Sequence, residues 1–358
     1  MSTLAATNLK HESSASNNIV LDASGNATFA GTAVPASSFL RNRIINGDMR
    51  IDQRNAGASV TPTTAGGSAY YSCDRWQQFL NQSSKYSIQQ STTAPSGFTN
   101  SLLATSLSAY SVLTGDNFAL SQQIEGFNVA DLGWGSAAAQ TITLSFWVRS
   151  SLTGTFGGAV SNSAVNRSYP FTFTINTANT FEYKTVSVAG DTTGTWLTNN
   201  GIGMRVWFNL GSGSTYSGTA GSWAAADYRS ATGATSVVGT NGATFYLTGV
   251  QLEVGSAATP FERRQYGQEL MLCQRYYETG VFRIDGYGLT GAGILTTYGY
   301  KATKRASPTV SFTGTGYANG TGVFSDAGSN ASGFMGGFVV SSTGGAAMTT
   351  TFIASAEL

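Results

Sequence analysis

The sequence predicts an all-β protein: an antiparallel jelly-roll sandwich, then one short α-helix and a smaller C-terminal β domain, preceded by an extended N-terminal anchor. Three observations predict it. Apolar and polar residues alternate along many short runs, glycine, asparagine and serine punctuate those runs, and a single stretch repeats its apolar residues at helical spacing. Composition agrees. Glycine fills 44 of 358 positions, Ser plus Thr about a quarter, and charged residues only 10%, against about 25% in an ordinary soluble domain. With 41% hydrophobic and 12% aromatic residues, the chain has enough apolar material for packed cores.

Residues 1–40 are rich in Ser, Ala, Asn and Thr. Ile19-Val20-Leu21 and Ala27-Thr28-Phe29 flank a Gly-containing turn, which reads as a small hairpin. An isolated hairpin is marginal in water, so this segment is expected to be held by other chains, with Ile19, Val20, Leu21 and Phe29 as anchoring and oligomerisation residues. Residues 41–262 read as strand after strand. Ile142, Leu144, Phe146 and Val148 face one way, with Trp147 and Arg149 opposite. Met204, Val206, Phe208 and Leu210 repeat the pattern against Arg205 and Trp207. Period two with one apolar face marks a half-buried antiparallel strand, and further runs at 117–124, 169–175, 181–188 and 244–254 suggest a jelly roll. The helix is expected within 263–280, where Tyr266, Leu270, Cys273 and Tyr277 share one face. Residues 281–358 return to strands, including Phe334 to Val340 and Met348 to Ala354. So short a segment is a thin basis for an independent core, and packing on the helix or on copies of itself is expected to complete it.

Several function classes are disfavoured at once. The net charge of +1 lacks the clustered cations that nucleic-acid binding needs. No apolar run approaches the roughly 18 residues of a membrane span, and Met1-Ser2-Thr3-Leu4 does not open like a secretion signal. Cys73 and Cys273 form neither a metal pattern nor a disulfide framework. The single histidine, His11, sits in a polar terminal stretch, a poor place for a Ser-His-Asp apparatus.

Particular residues carry a resemblance. Asn42-Arg43-Ile44-Ile45-Asn46-Gly47-Asp48-Met49-Arg50-Ile51-Asp52-Gln53-Arg54 is similar to the opening of a domain common in bacteriophage tail fibres and related virion proteins. Tyr71-Ser72-Cys73-Asp74-Arg75-Trp76 looks like its second landmark. Leu247 to Gly255, Ala258-Thr259-Pro260-Phe261-Glu262-Arg263-Arg264, Leu272 to Glu278 and the ending Ala356-Glu357-Leu358 resemble the rest, in the same order. The resemblance implies a jelly roll similar to carbohydrate-binding modules, usually trimeric, mounted on a phage particle. The expected partners are therefore two further copies of the chain, other virion proteins through the N-terminal segment, and a host-surface polysaccharide. No nucleic acid and no membrane insertion are expected, and the protein would be made in the host cytoplasm and reside in the virion.

If the strands carrying Trp147/Arg149 and Arg205/Trp207 are neighbours, two indoles and two guanidiniums share one surface. Sugars stack their C–H faces on aromatic rings while Arg donates to the hydroxyls, which would make that surface a glycan platform. The alternative is that these tryptophans cover a subunit interface or lie under a loop. Trp134, Tyr216, Trp223 and Tyr228 form a second set of glycan-binding candidates on loops, with packing onto their own domain as the alternative. Asp48, Asp52, Asp74 and Glu253 are candidate oxygen ligands for a structural calcium, or else turn caps and partners of Arg50, Arg54 and Arg75. No other cofactor or metal is expected. Glycoside hydrolysis needs two carboxyl groups about 5–9.5 Å apart, and nothing in the spacing of Asp116, Glu125, Asp131, Glu182, Asp191 and Asp227 selects a pair. Arg263, Arg264, Lys301, Lys304 and Arg305 form no net basic patch, because Glu262, Glu269 and Glu278 are interleaved. A solvated helix face or inter-subunit ion pairs would explain them. The expected function is a tail fibre or receptor-binding protein without catalysis. The rival is a capsid fibre, collar or adaptor that binds no glycan.

Overall fold

A computed structural model describes residues 7–9, 19–21, 27–29, 41–63, 70–325 and 329–358. The chain falls into two compact units, Met1–Arg41 and Asn42–Leu358. In the first, strands Ala27–Phe29 and Asn8–Leu9 both pair antiparallel with Ile19–Leu21. Ile19 faces Phe29 across the expected hairpin, whose turn, 22–26, lies outside the described residues. The strand Asn8–Leu9 was not legible, since two residues carry no period.

The second unit opens with a sandwich of two antiparallel sheets. One has six strands in the order Ser168–Ile175, Gly154–Ser161, Ile202–Ser212, Asn117–Glu125, Gln77–Leu80, Tyr70–Tyr71. The other has five, in the order Glu182–Val188, Ile142–Ser150, Thr244–Val254, Ser101–Ser106, Tyr86–Ser91. The expected alternation supplies the inner faces: Ile142, Leu144, Phe146 and Val148 from one sheet and Met204, Val206, Phe208 and Leu210 from the other are all fully buried. Phe146 sits edge-on to Phe208 at 4.9 Å and to Phe173 at 5.0 Å. Each such ring contributes about 1.5–3 kcal/mol by leaving water. The antiparallel two-sheet order makes this a jelly-roll-type sandwich within an all-β protein, as the punctuated alternation predicted.

The helix spans Tyr266–Gln274, and its packing corrects the expected face. Cys273 is fully buried, but Tyr266 is 56% exposed, while Glu269 and Gln274 point inward. The helix ends before Tyr277 because that residue opens the strand Tyr277–Gly288, paired with Ser355. No helix among the described residues is long and apolar enough to cross a membrane.

The C-terminal segment forms two three-stranded sheets. One orders Tyr277–Gly288, Gly344–Ser355, Thr309–Ala318, and the other Gly293–Gly299, Gly333–Val340, Gly320–Ser325. Between them Phe282, Phe334, Phe338, Met348 and Phe352 make a core of their own. This small sandwich is also tied to the large one through a dense polar joint. Glu357 bridges Arg54 and Arg75, whose guanidiniums lie 3.5 Å from the Tyr277 ring centroid and 3.6 Å from that of Tyr276. Arg275 grips Glu125 through two bonds of 2.8 and 2.6 Å, and the Tyr276 hydroxyl donates to the same carboxylate at 2.7 Å. Glu269 accepts from the Asn46 N–H at 2.6 Å, while Arg264 donates to the Ile44 carbonyl at 3.0 Å. Lys304, its side chain 0% exposed, pairs with Glu278 at 2.6 Å. Arg264 and Lys304 are therefore neither solvated nor available to other subunits: they are internal pins, and a buried pair of this kind holds only while both partners stay.

Candidate functional site

The five-stranded sheet turns a row of aromatics outward. Because Phe146 and Val148 point into the core, Trp147 and Arg149 must point out. Register places Tyr183 and Thr248 on either side of Trp147, and Tyr246 beside Arg149. Tyr183 is 43% exposed, and its ring centroid lies 5.4 Å from that of Trp147. A bulge between Thr248 and Gln251 interrupts the central strand. There Gly249 has φ +59, and a Cβ would lie 2.7 Å from the Phe98 ring and 3.0 Å from Trp147. Only glycine combines that left-handed backbone with room for two rings.

Phe98 is set by a turn in which its N–H donates to the Pro95 carbonyl at 3.0 Å. Phe261 meets it edge-on at 5.2 Å, and the Arg263 guanidinium lies 4.6 Å from the Phe98 centroid. Together Trp147, Tyr183, Phe98, Pro260, Phe261 and Arg263 line an open groove of about 650 Å³, within the size range of small-ligand sites. Farther along the same face Arg149 lies 5.0 Å from the Tyr246 centroid and 5.9 Å from that of Phe181. Flat apolar rings beside free guanidinium edges can hold a flat, C–H-faced, hydroxylated ligand from two sides.

The other half of the expected platform is elsewhere. The strand bearing Arg205 and Trp207 pairs with Gly154–Ser161 and Asn117–Glu125 in the six-stranded sheet, so these residues occupy the opposite outer face of the sandwich. Loops cover them. Trp207 is 0% exposed, donates its indole N–H to Ser161 Oγ at 2.9 Å, and packs on Phe79 at 4.7 Å. Arg229, fixed by two bonds to Asp227 of 2.9 and 2.6 Å, lies 4.9 Å from Trp207 and 4.5 Å from Tyr216. Arg205 donates to the Ser163 carbonyl at 3.1 Å. Burial, reinforced by the Arg229 charge, holds its pKa below the usual arginine value. Tyr228 closes over Gly218, where a Cβ would meet its ring at 2.2 Å.

The loop tryptophans turn toward one another. Trp134, Trp196 and Trp223 form a triangle of edge-on indoles with centroids 4.6, 5.4 and 5.6 Å apart. Trp134 is 8% exposed and donates to the Gln140 carbonyl at 2.7 Å, and Trp223 donates to that of Ala189 at 2.8 Å. Trp196 donates to Asp191 at 3.2 Å, which Arg167 also grips at 2.9 and 2.5 Å. The triangle lies at the edge of the main core, with Trp134 inside it and Trp196 and Trp223 packed against it, and fastens the loops there.

The carboxylates are engaged as well. Asp48 pairs with Arg50 at 2.5 Å. Asp52 caps a turn by accepting from the N–H groups of Asn55 at 2.9 Å and Gly57 at 2.7 Å. Glu253 accepts from the Thr259 N–H at 2.8 Å and hydroxyl at 2.6 Å. Asp74 accepts from Gln53, and burial pushes its pKa up to about 6. Among the described residues no group of three acidic, His or Cys side chains is arranged to hold a metal ion. Of the six residues weighed for hydrolysis, Glu125, Asp131, Glu182, Asp191 and Asp227 each hold their own cation. Asp116 accepts from the Tyr110 hydroxyl at 2.7 Å and the Leu113 N–H at 2.9 Å.

No protein-family model matches the chain, and no curated protein matches its sequence. Among solved structures it is similar to the enzymatically active domain of tailspike protein 4 of bacteriophage CBA120, at 11% identity and TM-score 0.31. That match covers 54% of this chain and 21% of the tailspike chain, so this chain aligns with about a fifth of that protein. A putative sugar binding protein from Bacteroides thetaiotaomicron is similar at 11% identity and TM-score 0.35, over 60% of this chain and 100% of that one. A family 11 carbohydrate-binding module from Clostridium thermocellum, in complex with a β-1,3-1,4-mixed-linked tetrasaccharide, is similar at 10% identity and TM-score 0.27, over 56% and 96%.

Proposed function

We propose that this chain is a virion-mounted adhesin, a phage tail fibre or receptor-binding protein that holds host-surface glycans on the outer face of its five-stranded sheet and does not cut them. One observation carries the reading: the open groove in which Trp147, Tyr183, Phe98 and Phe261 present aromatic surface beside Arg263. Aromatic rings left half-exposed on a sheet cost solvation, and a pyranose face is a natural partner for them. The resemblance of the landmarks to those of phage fibres supplies the setting. In it the N-terminal unit, with Ile19, Val20, Leu21 and Phe29, attaches the chain to the particle and to its copies. A homotrimer presents three grooves, and that repetition turns weak sugar affinity into avidity. Synthesis in the host cytoplasm and residence in the virion follow from the same reading.

A structural virion component is the competing reading, and the C-terminal sheet favours it in one respect. Val281 and Tyr287 on the strand Tyr277–Gly288 are 69% and 75% exposed, and Leu289 just past its end is 67% exposed, an apolar surface suited to protein contacts. The deciding experiment pre-incubates host cells with the assembled protein and measures adsorption of the parent phage. Dose-dependent inhibition, lost in Trp147→Ala/Tyr183→Ala with assembly intact, supports the adhesin. Absence of inhibition at saturating protein sinks it in favour of the structural component.

A further inference from the structure

We infer that the groove selects an anionic glycan, one whose sugar rings carry carboxylate or phosphate groups. This rests on the reading of the groove as a glycan site. The chain holds 19 Lys+Arg and 18 Asp+Glu, and its described residues form twelve ion pairs. Both arginines of the aromatic face stand outside that scheme. Arg263 is exposed and lies over the rings of Phe98 and Phe261, with its guanidinium beside Gly97. Arg149 lies over Tyr246 and Phe181, and its Nε is buried without a hydrogen-bond partner.

The nearest acids along the chain are turned elsewhere. The Glu262 carboxylate, between Phe261 and Arg263, accepts from the Asn42 N–H at 2.9 Å and lies 3.6 Å from Arg264. Glu182, beside Tyr183 on the edge strand, is held by Lys184 at 2.6 Å and by the N–H groups of Asn176 and Thr177, both at 2.8 Å. Among the described residues no carboxylate lines the groove, whose one charged side chain is Arg263, so its local charge is positive in a protein of nearly zero net charge.

Ring contacts fix the plane of each guanidinium and leave its N–H edge unspent. That edge is a rigid fork that matches carboxylate and phosphate oxygens two at a time. A neutral sugar would use the rings and leave the outward N–H edges of both guanidiniums without a charged partner. An anionic sugar uses both features.

The experiment offers the full-length protein a panel of bacterial surface polysaccharides, neutral and acidic. Each acidic one is presented untreated, after carboxyl reduction, and after removal of phosphate. Binding of acidic glycans that drops at least tenfold on one of the two treatments supports the inference, and the effective treatment names the group. That preference should weaken with added salt and disappear in Arg149→Gln/Arg263→Gln. Arg283→Gln, on the C-terminal sheet and paired with Asp285, should leave it intact. Equal binding of treated and untreated glycans, or a preference for neutral ones, overturns the inference while the glycan reading stands. Binding of no glycan in the panel overturns both.

Discussion

The two outer faces of the large sandwich carry the same pair of side chains, an indole and a guanidinium two residues apart on one strand, and use them oppositely. On the six-stranded sheet Trp207 is sealed beneath Arg229 and the loops around it, with its N–H bonded and its ring fully buried. On the five-stranded sheet Trp147 is only partly covered, beside a groove whose arginine, Arg263, forms none of the ion pairs among the described residues. The residues do not decide between these roles. What decides is whether a connection folds back over the face, and on the second sheet the flanking segments bring Phe98 and Phe261 to the rim without closing it.

The largest effect expected from this contrast is on stability at the sealed face. Trp207→Ala should cost about 3–5 kcal/mol, as large buried rings do, seen as a lower denaturation midpoint, while refolded protein keeps its glycan binding within about twofold. Lost binding at unchanged stability would reverse the roles of the two faces. Next, Gly249→Ala should cost about 1–2 kcal/mol for the left-handed backbone and push Phe98 and Trp147 apart, so that binding falls with modest loss of stability. Binding and stability both unaltered would show that the bulge does not shape the groove. Trp147→Ala should change stability by less than about 1 kcal/mol and yet abolish glycan binding in a titration. An unaffected titration would move the site.

The smallest effect concerns pH at the edge strand that carries Tyr183. Burial opposes ionisation of Glu182, but Lys184 and the N–H groups of Thr177 and Asn176 outweigh it and hold the pKa at about 2, below its ordinary 4.5. A lowered folded-state pKa gives stability that is present above 4.5 and lost as pH falls toward 2. Melting temperatures of Glu182→Gln should therefore fall less steeply than those of the parent across that window. Parallel slopes would mean that the ion pair is not formed in solution.

Much of the fold was legible in the chain. Alternation along 142–149 and 204–210 gave the inner faces correctly, because a half-buried strand leaves a period of two wherever it sits. Which sheet each strand joins was not legible. Trp207 faces Ser121 and Ala159 while Trp147 faces Thr248, and pairings across about fifty to a hundred residues leave no local mark. The groove was half readable. Phe181 and Tyr183 alternate with inward residues in a run that already reads as a strand, so their outward direction could have been inferred. Phe98 and Phe261 could not, since loops far apart in sequence bring them together. The family-like landmarks were the plainest motifs, and most of them meet at the joint, where Asn46, Arg54, Arg75, Arg264, Tyr276, Glu278 and Glu357 all bond, while the landmark at 258–264 also supplies Pro260, Phe261 and Arg263 to the groove.

That joint also sets a timetable. Glu357 lies 303 residues beyond Arg54 and 282 beyond Arg75, so at ribosomal rates its partners are made roughly 15–60 s before it arrives. Every strand of the large sandwich is complete by Val254, and it can close its core long before the buried Arg75 is neutralised. Until Glu357 is made, Arg75 lacks its carboxylate partner. Order of synthesis therefore favours a large sandwich that is built first and a second sandwich that docks on it, with the Glu357 contacts closing after the rest of the large sandwich.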